Sequence, residues 1–403
     1  MQDRTSVYPT SGIAPSRMNT ARLTNSTARP ENELILLSSR RYTDAETLAR
    51  IADLSKADLD WRYVLTQATR HGVSQLLYFN LRSALGKDTS LAVMQPLAAR
   101  FQITANHNLY LLGQLFDLLE DLNRNGIAAI PLKGPVLAIT AFGDVSLREF
   151  SDLDLLVRWN DVDTTRNRLL QLGFRCQHHS DWIEPYLAFG HELGFRNSND
   201  EFDVDLQWRF GKKWLSFPLN PDEVWGQGTF TTLEGRLIRQ PSVQHHLMIL
   251  CGHGYRHQWS QLKWISDVAA FLHVYRSRIN WLQAIERARR AGGLRVLGLG
   301  LWLAKEVGGG ALPDDVARSL ITDTRIVHLG RTVSAQLFEG TGPIEPHGHS
   351  GFIARLRFHM QARERIRDKL PLPAPLISHA QYQLSRYTRH YVRQWTSSLI
   401  ARN

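Results

Sequence analysis

Acidic residues at alternate positions in two runs of β-type sequence, with a Lys-Gly turn ahead of the first, restrict this chain more than any other feature in it. The first run is Ser151-Asp-Leu-Asp-Leu-Leu-Val157, preceded by Ile127-Ala-Ala-Ile-Pro-Leu-Lys133-Gly134; the second is Glu201-Phe-Asp203-Val-Asp205-Leu-Gln-Trp208. Side chains alternate between the two faces of a strand. Asp152 and Asp154 therefore point one way while Leu153, Leu155 and Val157 or their neighbours enter a core. In the second run Asp203, Asp205 and Gln207 share one face, and Phe202, Val204, Leu206 and Trp208 the other. The pattern demands a sheet with one apolar face and one face on which carboxylates gather. Carboxylates brought together repel unless a cation sits among them, and oxygen-only donors favour magnesium or manganese. The chemistry this points to is phosphoryl transfer.

The rest of the composition narrows the class. At 403 residues and 43% hydrophobic content the chain has the length for two or three domains and a sizeable core. Cys176 and Cys251 are its two cysteines, with no CxxC spacing, which argues against a disulfide framework or a thiolate zinc site and fits a reducing cytoplasm. No apolar run reaches the roughly eighteen residues of a membrane span, and the N-terminus lacks a secretory pattern. The expectation is a soluble, cytoplasmic protein with no transmembrane segment. The net charge of +10 is uneven: residues 351–403 hold ten Arg or Lys against Glu364 and Asp368. Such a tail reads either as a solvated helical face or as a docking surface for an anionic partner. With no recognised reading motif beside it, nucleic acid is not the favoured partner.

Along the chain, residues 1–32 are rich in Ser, Thr, Arg and Asn without apolar period and read as a disordered extension. Residues 33–123 show helical spacing, with Leu48, Ile51 and Leu54 in one stripe and Leu111, Leu112, Leu115, Leu118, Leu119 and Leu122 in another. Residues 124–240 change to β-type runs at 127–132, 153–157, 194–196 and 202–208, with a helix over 161–172 that stops at Gly173. Residues 241–340 return to helices, through 243–271, 281–290, 294–307 and 316–319. The basic segment 341–403 begins with His347-Gly-His349 and is punctuated by Pro371, Pro373 and Pro375. The expected fold is α+β: a small α/β core with a mixed sheet, embedded between helical segments.

Several side chains are candidates around the carboxylates. Gly134, lacking a Cβ, lets the backbone approach a phosphate, and Lys133 supplies a cation beside it. Arg148 reads either as a cation in the same cleft or as an ion-pair partner of Asp152 or Asp154. His253 and His257, at i and i+4, have a spacing that permits zinc, but no third ligand or HExxH glutamate accompanies them, so packing or a substrate pocket is the reading. Asp267 either orients one of these imidazoles, contacts a nucleotide, or serves as an N-cap or surface residue. The stretch from Trp259 to Trp264, which includes Lys263, reads as helix core.

Leu132-Lys-Gly134, Phe142-Gly-Asp-x-Ser-x-Arg148, Ser151-Asp-Leu-Asp-Leu-Leu-Val157 and Val204-Asp-Leu-Gln-Trp208 together resemble the bacterial family of uncharacterised nucleotidyltransferases, a branch of the DNA polymerase β-like superfamily. Asp60-Trp61 and His71-Gly-Val resemble its N-terminal region. His253-Gly-x-x-His257-x-Trp259-x-x-Leu-Lys-Trp264-Ile-x-Asp267 resembles the helical region after its core. The resemblance covers about residues 34–340. It implies a polymerase β-like core and transfer of a nucleoside monophosphate from a nucleoside triphosphate, with release of pyrophosphate. Two magnesium or manganese ions would be held by Asp152, Asp154 and Asp205, with Asp203 an alternative third ligand. Lys133, Gly134, Arg148 and Ser151 would bind the nucleotide, and Asp203, Gln207, His253, His257, Lys263 and Asp267 are candidates for a substrate pocket. Gln207 stands where that family often has His, and Pro135 follows Gly134 where Gly or Ser is usual. The implied acceptor is a hydroxyl or phosphate of a small molecule, sugar or peptide. The alternatives are nucleotidylation of a protein or transfer RNA, and a regulatory module that binds nucleotide without turnover.

Overall fold

The computed structural model describes residues 29–86, 92–178, 190–211, 219–320, 323–339 and 349–365, with Ile183 and Leu187. Most of the 1–32 extension and of the basic 341–403 segment, including His347 and Pro371, Pro373 and Pro375, lies outside the described residues. Four short helices lead: α1 Pro30–Ser38, α2 Ala45–Ser55, α3 Trp61–Arg70 and α4 Ser74–Leu85. Asp44 and Asp60 cap α2 and α3, accepting hydrogen bonds from the backbone N–H of Thr47 and Tyr63, donors that a helix start otherwise leaves unpaired. The 31-residue α5, Met94–Arg124, follows.

The central unit runs β1 Ala129–Pro131, α6 Gly134–Phe142, β2 Asp152–Val157, α7 Val162–Gln171, β3 Arg175–Cys176, β4 Glu192–Arg196 and β5 Asp203–Gln207. Its five strands lie in the order β1-β2-β5-β4-β3. Only β2 and β5 are parallel among these neighbours; the other pairs are antiparallel. The mixed sheet and the helices on either side of it in sequence make this an α+β fold, as the alternation of residues requires. Leu153, Leu155, Val157, Val204, Leu206 and Phe195 bury one face against Leu111, Leu115, Leu118 and Leu122 of α5. The opposite face is divided: Ile130, Leu132 and Leu156 form a small apolar cluster with Ile249 and Trp225, and beside it stand the carboxylates.

After α8 Pro221–Gly226, a hairpin of β6 Thr229–Leu233 and β7 Arg236–Gln240 turns through Glu234 and Gly235. Both turn residues have positive φ, the two-residue geometry whose twist matches that of paired strands. The alternation in this stretch was too weak to mark it as strand in sequence. The helices α9 Val243–Arg256, α10 Leu262–Tyr275, α11 Trp281–Ala291, α12 Leu294–Glu306, α13 Asp314–Leu320, α14 Thr324–Gln336 and α15 His349–Ala362 complete the described chain. The helical run expected over 243–271 is in fact two helices. Gln258 and Trp259 take φ of 57° and 55°, and the fully buried Trp259 pins the turn between α9 and α10. Residues of α1 to α4, the start of α5 and α9 to α14 share one continuous apolar core, so segments far apart in sequence pack as one body around the end of the sheet.

Candidate active site

The β2–β5 pairing sets the site. In its register Asp152 lies across from Asp203, and Asp154 from Asp205, so two rows of carboxylates face the same side of the sheet. On β4 the register continues with Glu192 across from Gln207, Gly194 from Asp205 and Arg196 from Asp203. The expected strand at 194–196 starts two residues earlier than its sequence suggested, and that extension brings Glu192 into the site. Alternation of Glu192, Gly194 and Arg196 with Leu193 and Phe195 was the available signal.

Each carboxylate has a different electrostatic position. Asp154 is buried and held at both oxygens: Lys133 Nζ lies 3.0 Å from Oδ2, and Gln207 Nε2 donates to Oδ1 at 2.6 Å. Gln207 thus fixes one oxygen of Asp154. Asp203 is turned to Arg196, with a closest approach of 2.5 Å, and accepts a bond from Gln177. Both of its oxygens are engaged there, whereas the Asp205 carboxylate, opposite Asp154, is not. Asp152 and Asp205 make no hydrogen bond or ion pair with a described residue. Burial, followed by the charges of Glu192, Asp154 and Asp152, pushes the Asp205 carboxyl up to about 8 against a partial offset from Lys133. Burial and Asp154 also raise Asp152.

Lys133 and Gly134 close the end of β1. Gly134 has φ +47° and begins α6, and a Cβ there would stand 3.5 Å from the carbonyl oxygen of Asp152, so the turn runs close against β2 in a conformation that favours glycine. No side chain caps α6, which leaves first-turn amides of that helix beside the carboxylates. Ser151 is exposed at the entry to β2.

Arg148 is paired with an acid from the helical part of the chain. Its Nε and Nη2 donate to the two oxygens of Asp267 at 2.7 and 2.9 Å, and the pair is buried. Neither Asp152 nor Asp154 is its partner, and Asp267 orients no imidazole. The loop that carries Arg148 is further held by Asn108 of α5, whose side-chain amide donates to the carbonyls of Val145 and Arg148. Buried side chains so placed fix the approach to β2 from two directions.

Along α9, His253 Nδ1 is 3.2 Å from Lys133 Nζ and 3.0 Å from Arg256 Nη2. Both neighbours are donors only, so Nδ1 accepts and the ring is neutral with its proton on Nε2. Burial and the surrounding cations, Lys133 foremost, hold its pKa well below the usual imidazole range. His257 stacks on Trp264 at 4.7 Å. Among the described residues the two histidines are not joined by a third His, Cys, Asp or Glu in a group that could hold a metal ion. Arg256 also reaches His191 Nε2 at 2.7 Å and Glu192 at 3.7 Å. Burial would raise Glu192, but the His191 hydrogen bond and the charges of His191, Arg256 and Lys133 bring it down to about 2. His191, Glu192 and Arg256 were not among the sequence candidates, since their roles arise from contacts between α9 and β4. Beside them lies a small open cleft, polar along Lys133, Gln207, His253 and Arg256 and apolar along Phe210 and Ile249.

Among the described residues no three His, Cys, Asp or Glu side chains are grouped so as to hold a metal ion as they stand. The donor chemistry nevertheless fits a hard divalent cation. The Asp152 and Asp205 carboxylates have no ion-pair or hydrogen-bond partner among the described residues, and burial first, then neighbouring anions, raises their pKa values, a condition that a bound cation would relieve. Asp154 would join them once Lys133 or Gln207 gives way.

The family model for uncharacterised nucleotidyltransferases matches residues 57–309, from just ahead of α3 to just past α12. The chain belongs to that family, and nucleotidyl transfer from a nucleoside triphosphate is, in general terms, its reaction. Comparison with curated proteins and with solved structures finds no match for this chain. No helix among the described residues is long and apolar enough to cross a membrane.

Proposed function

We propose that the protein transfers a nucleoside monophosphate from a nucleoside triphosphate to a hydroxyl or phosphate of a small molecule, with two magnesium or manganese ions held by Asp152, Asp154 and Asp205. The observation that carries this reading is the β2–β5 register, which places Asp154 opposite Asp205 with Asp152 on the same face. The ions, when bound, supply the charge that stabilises the attacking and leaving oxygens. The chain does the rest. Gly134 and the uncapped start of α6 offer backbone amides to the phosphates, and Lys133 lies next to them. Asp205, ionised once a cation is bound beside it, takes the proton of the acceptor hydroxyl at one of its Oδ atoms. The hydroxyl oxygen then bonds to the α-phosphorus as the bond to pyrophosphate breaks. The cleft beside Gln207 and Arg256, lined also by Lys133 and His253, is where the acceptor would approach.

The test is pyrophosphate release from each of the four ribonucleoside triphosphates with magnesium, in the presence of a small-molecule and peptide fraction. Wild type is compared with the Asp152→Asn/Asp154→Asn double variant. Release by wild type that disappears in the variant is the expected result, and mass spectrometry of the fraction then identifies the acceptor. Equal background signals from both proteins would overturn the proposal.

A further inference from the structure

The charges around the site pair off with three exceptions. Lys133 is engaged with Asp154, Arg148 with Asp267, Arg196 with Asp203, and Arg256 with Glu192 and His191. Asp152 and Asp205 are left without an ion-pair partner among the described residues, and so is one cation, Lys263 at the start of α10, which makes no ion pair or hydrogen bond through its side chain and lies over an aromatic ring instead. Its Nζ lies 5.8 Å from the centroid of the Trp264 ring. Arg148, Asp267, Asp152 and Glu149 are the charges that act on it.

The course of this side chain is built by residues nearly two hundred positions away. The first amides of α10, which no side chain of its own N-cap satisfies, are taken by His71: its Nδ1 accepts from Leu262 N at 3.3 Å and its carbonyl from Lys263 N at 3.1 Å. His71 is fully buried. The next residue, Gly72, has φ +64°, and a Cβ on it would stand 2.7 Å from Lys263 Cδ and 3.5 Å from its Cβ and Cγ. The methylenes of Lys263 therefore run across bare glycine backbone, and any other residue at 72 would displace them. A lysine serving to neutralise Asp152 would pair with it; one left unpaired beside a carboxylate site, with its stem steered by a dedicated glycine, is arranged for an anion that arrives from outside.

We propose that Lys263 binds the phosphate tail of the nucleotide and that Gly72, with His71, is the positioning element for it. This rests on the nucleotidyl-transfer reading and adds a phosphate contact from the helical part of the chain. It also explains why the Asp60-Trp61 and His71-Gly72 region lies within the same family match as the carboxylates: the lead-in helices hold up one wall of the site.

The experiment measures binding by calorimetry, with magnesium chloride, of the four ribonucleoside triphosphates, the matching monophosphates and inorganic tripolyphosphate. The proteins are wild type, Lys263→Met and Gly72→Ala, with thermal unfolding recorded for each. Expected is a loss of about tenfold or more in triphosphate affinity in both variants, the scale of one charge-assisted contact, with monophosphate affinity unchanged. Equal triphosphate affinity in wild type and Lys263→Met overturns the inference, and this comparison stands even if Gly72→Ala does not fold. Tripolyphosphate binding that depends on Lys263, with no nucleoside triphosphate bound, would support the phosphate site while removing the nucleotidyl-transfer reading. Wild type that binds none of these anions overturns the assignment of Lys263.

Discussion

At the scale of single residues, Asp205 carries a measurable signature. Its folded-state pKa, about 8, lies above that of a carboxyl in an unfolded chain, so the folded state holds a proton that the unfolded state has lost. That contribution is complete below about pH 4 and disappears as pH rises through about 8. His253 has a depressed pKa and acts in the opposite direction, but its effect ends once pH exceeds the ordinary imidazole range of about 6.5. Between about pH 7 and 9 the thermal midpoint of wild type should fall, and that of Asp205→Asn should fall less; parallel curves for the two proteins would contradict the shift. Magnesium affinity should rise over the same interval, because the ion must displace the proton. The carboxylates themselves were legible in sequence because strand alternation is a local property. The partners were not. Arg148 looked like a neighbour of Asp152, yet its bidentate partner is Asp267, 119 positions away, and nothing local announces such a pair.

At the scale of elements, the Arg148–Asp267 pair joins the loop before β2 to α10, and Asn108 joins that loop to α5. Removing one member of a buried pair leaves the other charge stranded, at a cost of about 3–5 kcal/mol. Arg148→Met and Asp267→Leu should each lower stability by about that amount, and Arg148→Met/Asp267→Leu should lose less than the two singles combined. Urea unfolding of the four proteins gives the cycle; additive losses would mean that the pair is not coupled. Asn108→Ala should cost about 1–3 kcal/mol by leaving two buried carbonyls without a donor. Elements with clear period were readable: α5 from its leucine stripe, α7 from its stop at Gly173, β2 and β5 from alternating acids. β4 was half seen, and the break between α9 and α10 was missed. It is set by the burial of Trp259 against the folded helices, a tertiary cause that leaves no Gly or Pro to mark it.

At the scale of the whole molecule, the lead-in helices and the later helices share one core, and α5 runs from that core, at Met94 and Leu97, to the core beneath the sheet. A fragment that starts at residue 92 would lose Leu34, Ile51, Val64 and Leu77, a large part of the shared core. It should therefore show no cooperative thermal transition by circular dichroism, whereas a sharp transition in that fragment would show that the lead-in is dispensable. This union across the chain could not be read from composition, because each stripe of leucines states that it needs a partner without naming it. The β2–β5 register has one more consequence. Sliding either strand by a single residue would turn its aspartates into the layer occupied by Leu111, Leu115 and Leu118 and lift leucines and valines into water. The acids that equip the site thus also act as a proofreading device during assembly, since a mispaired sheet would have to bury two bare charges in hydrocarbon before it could close.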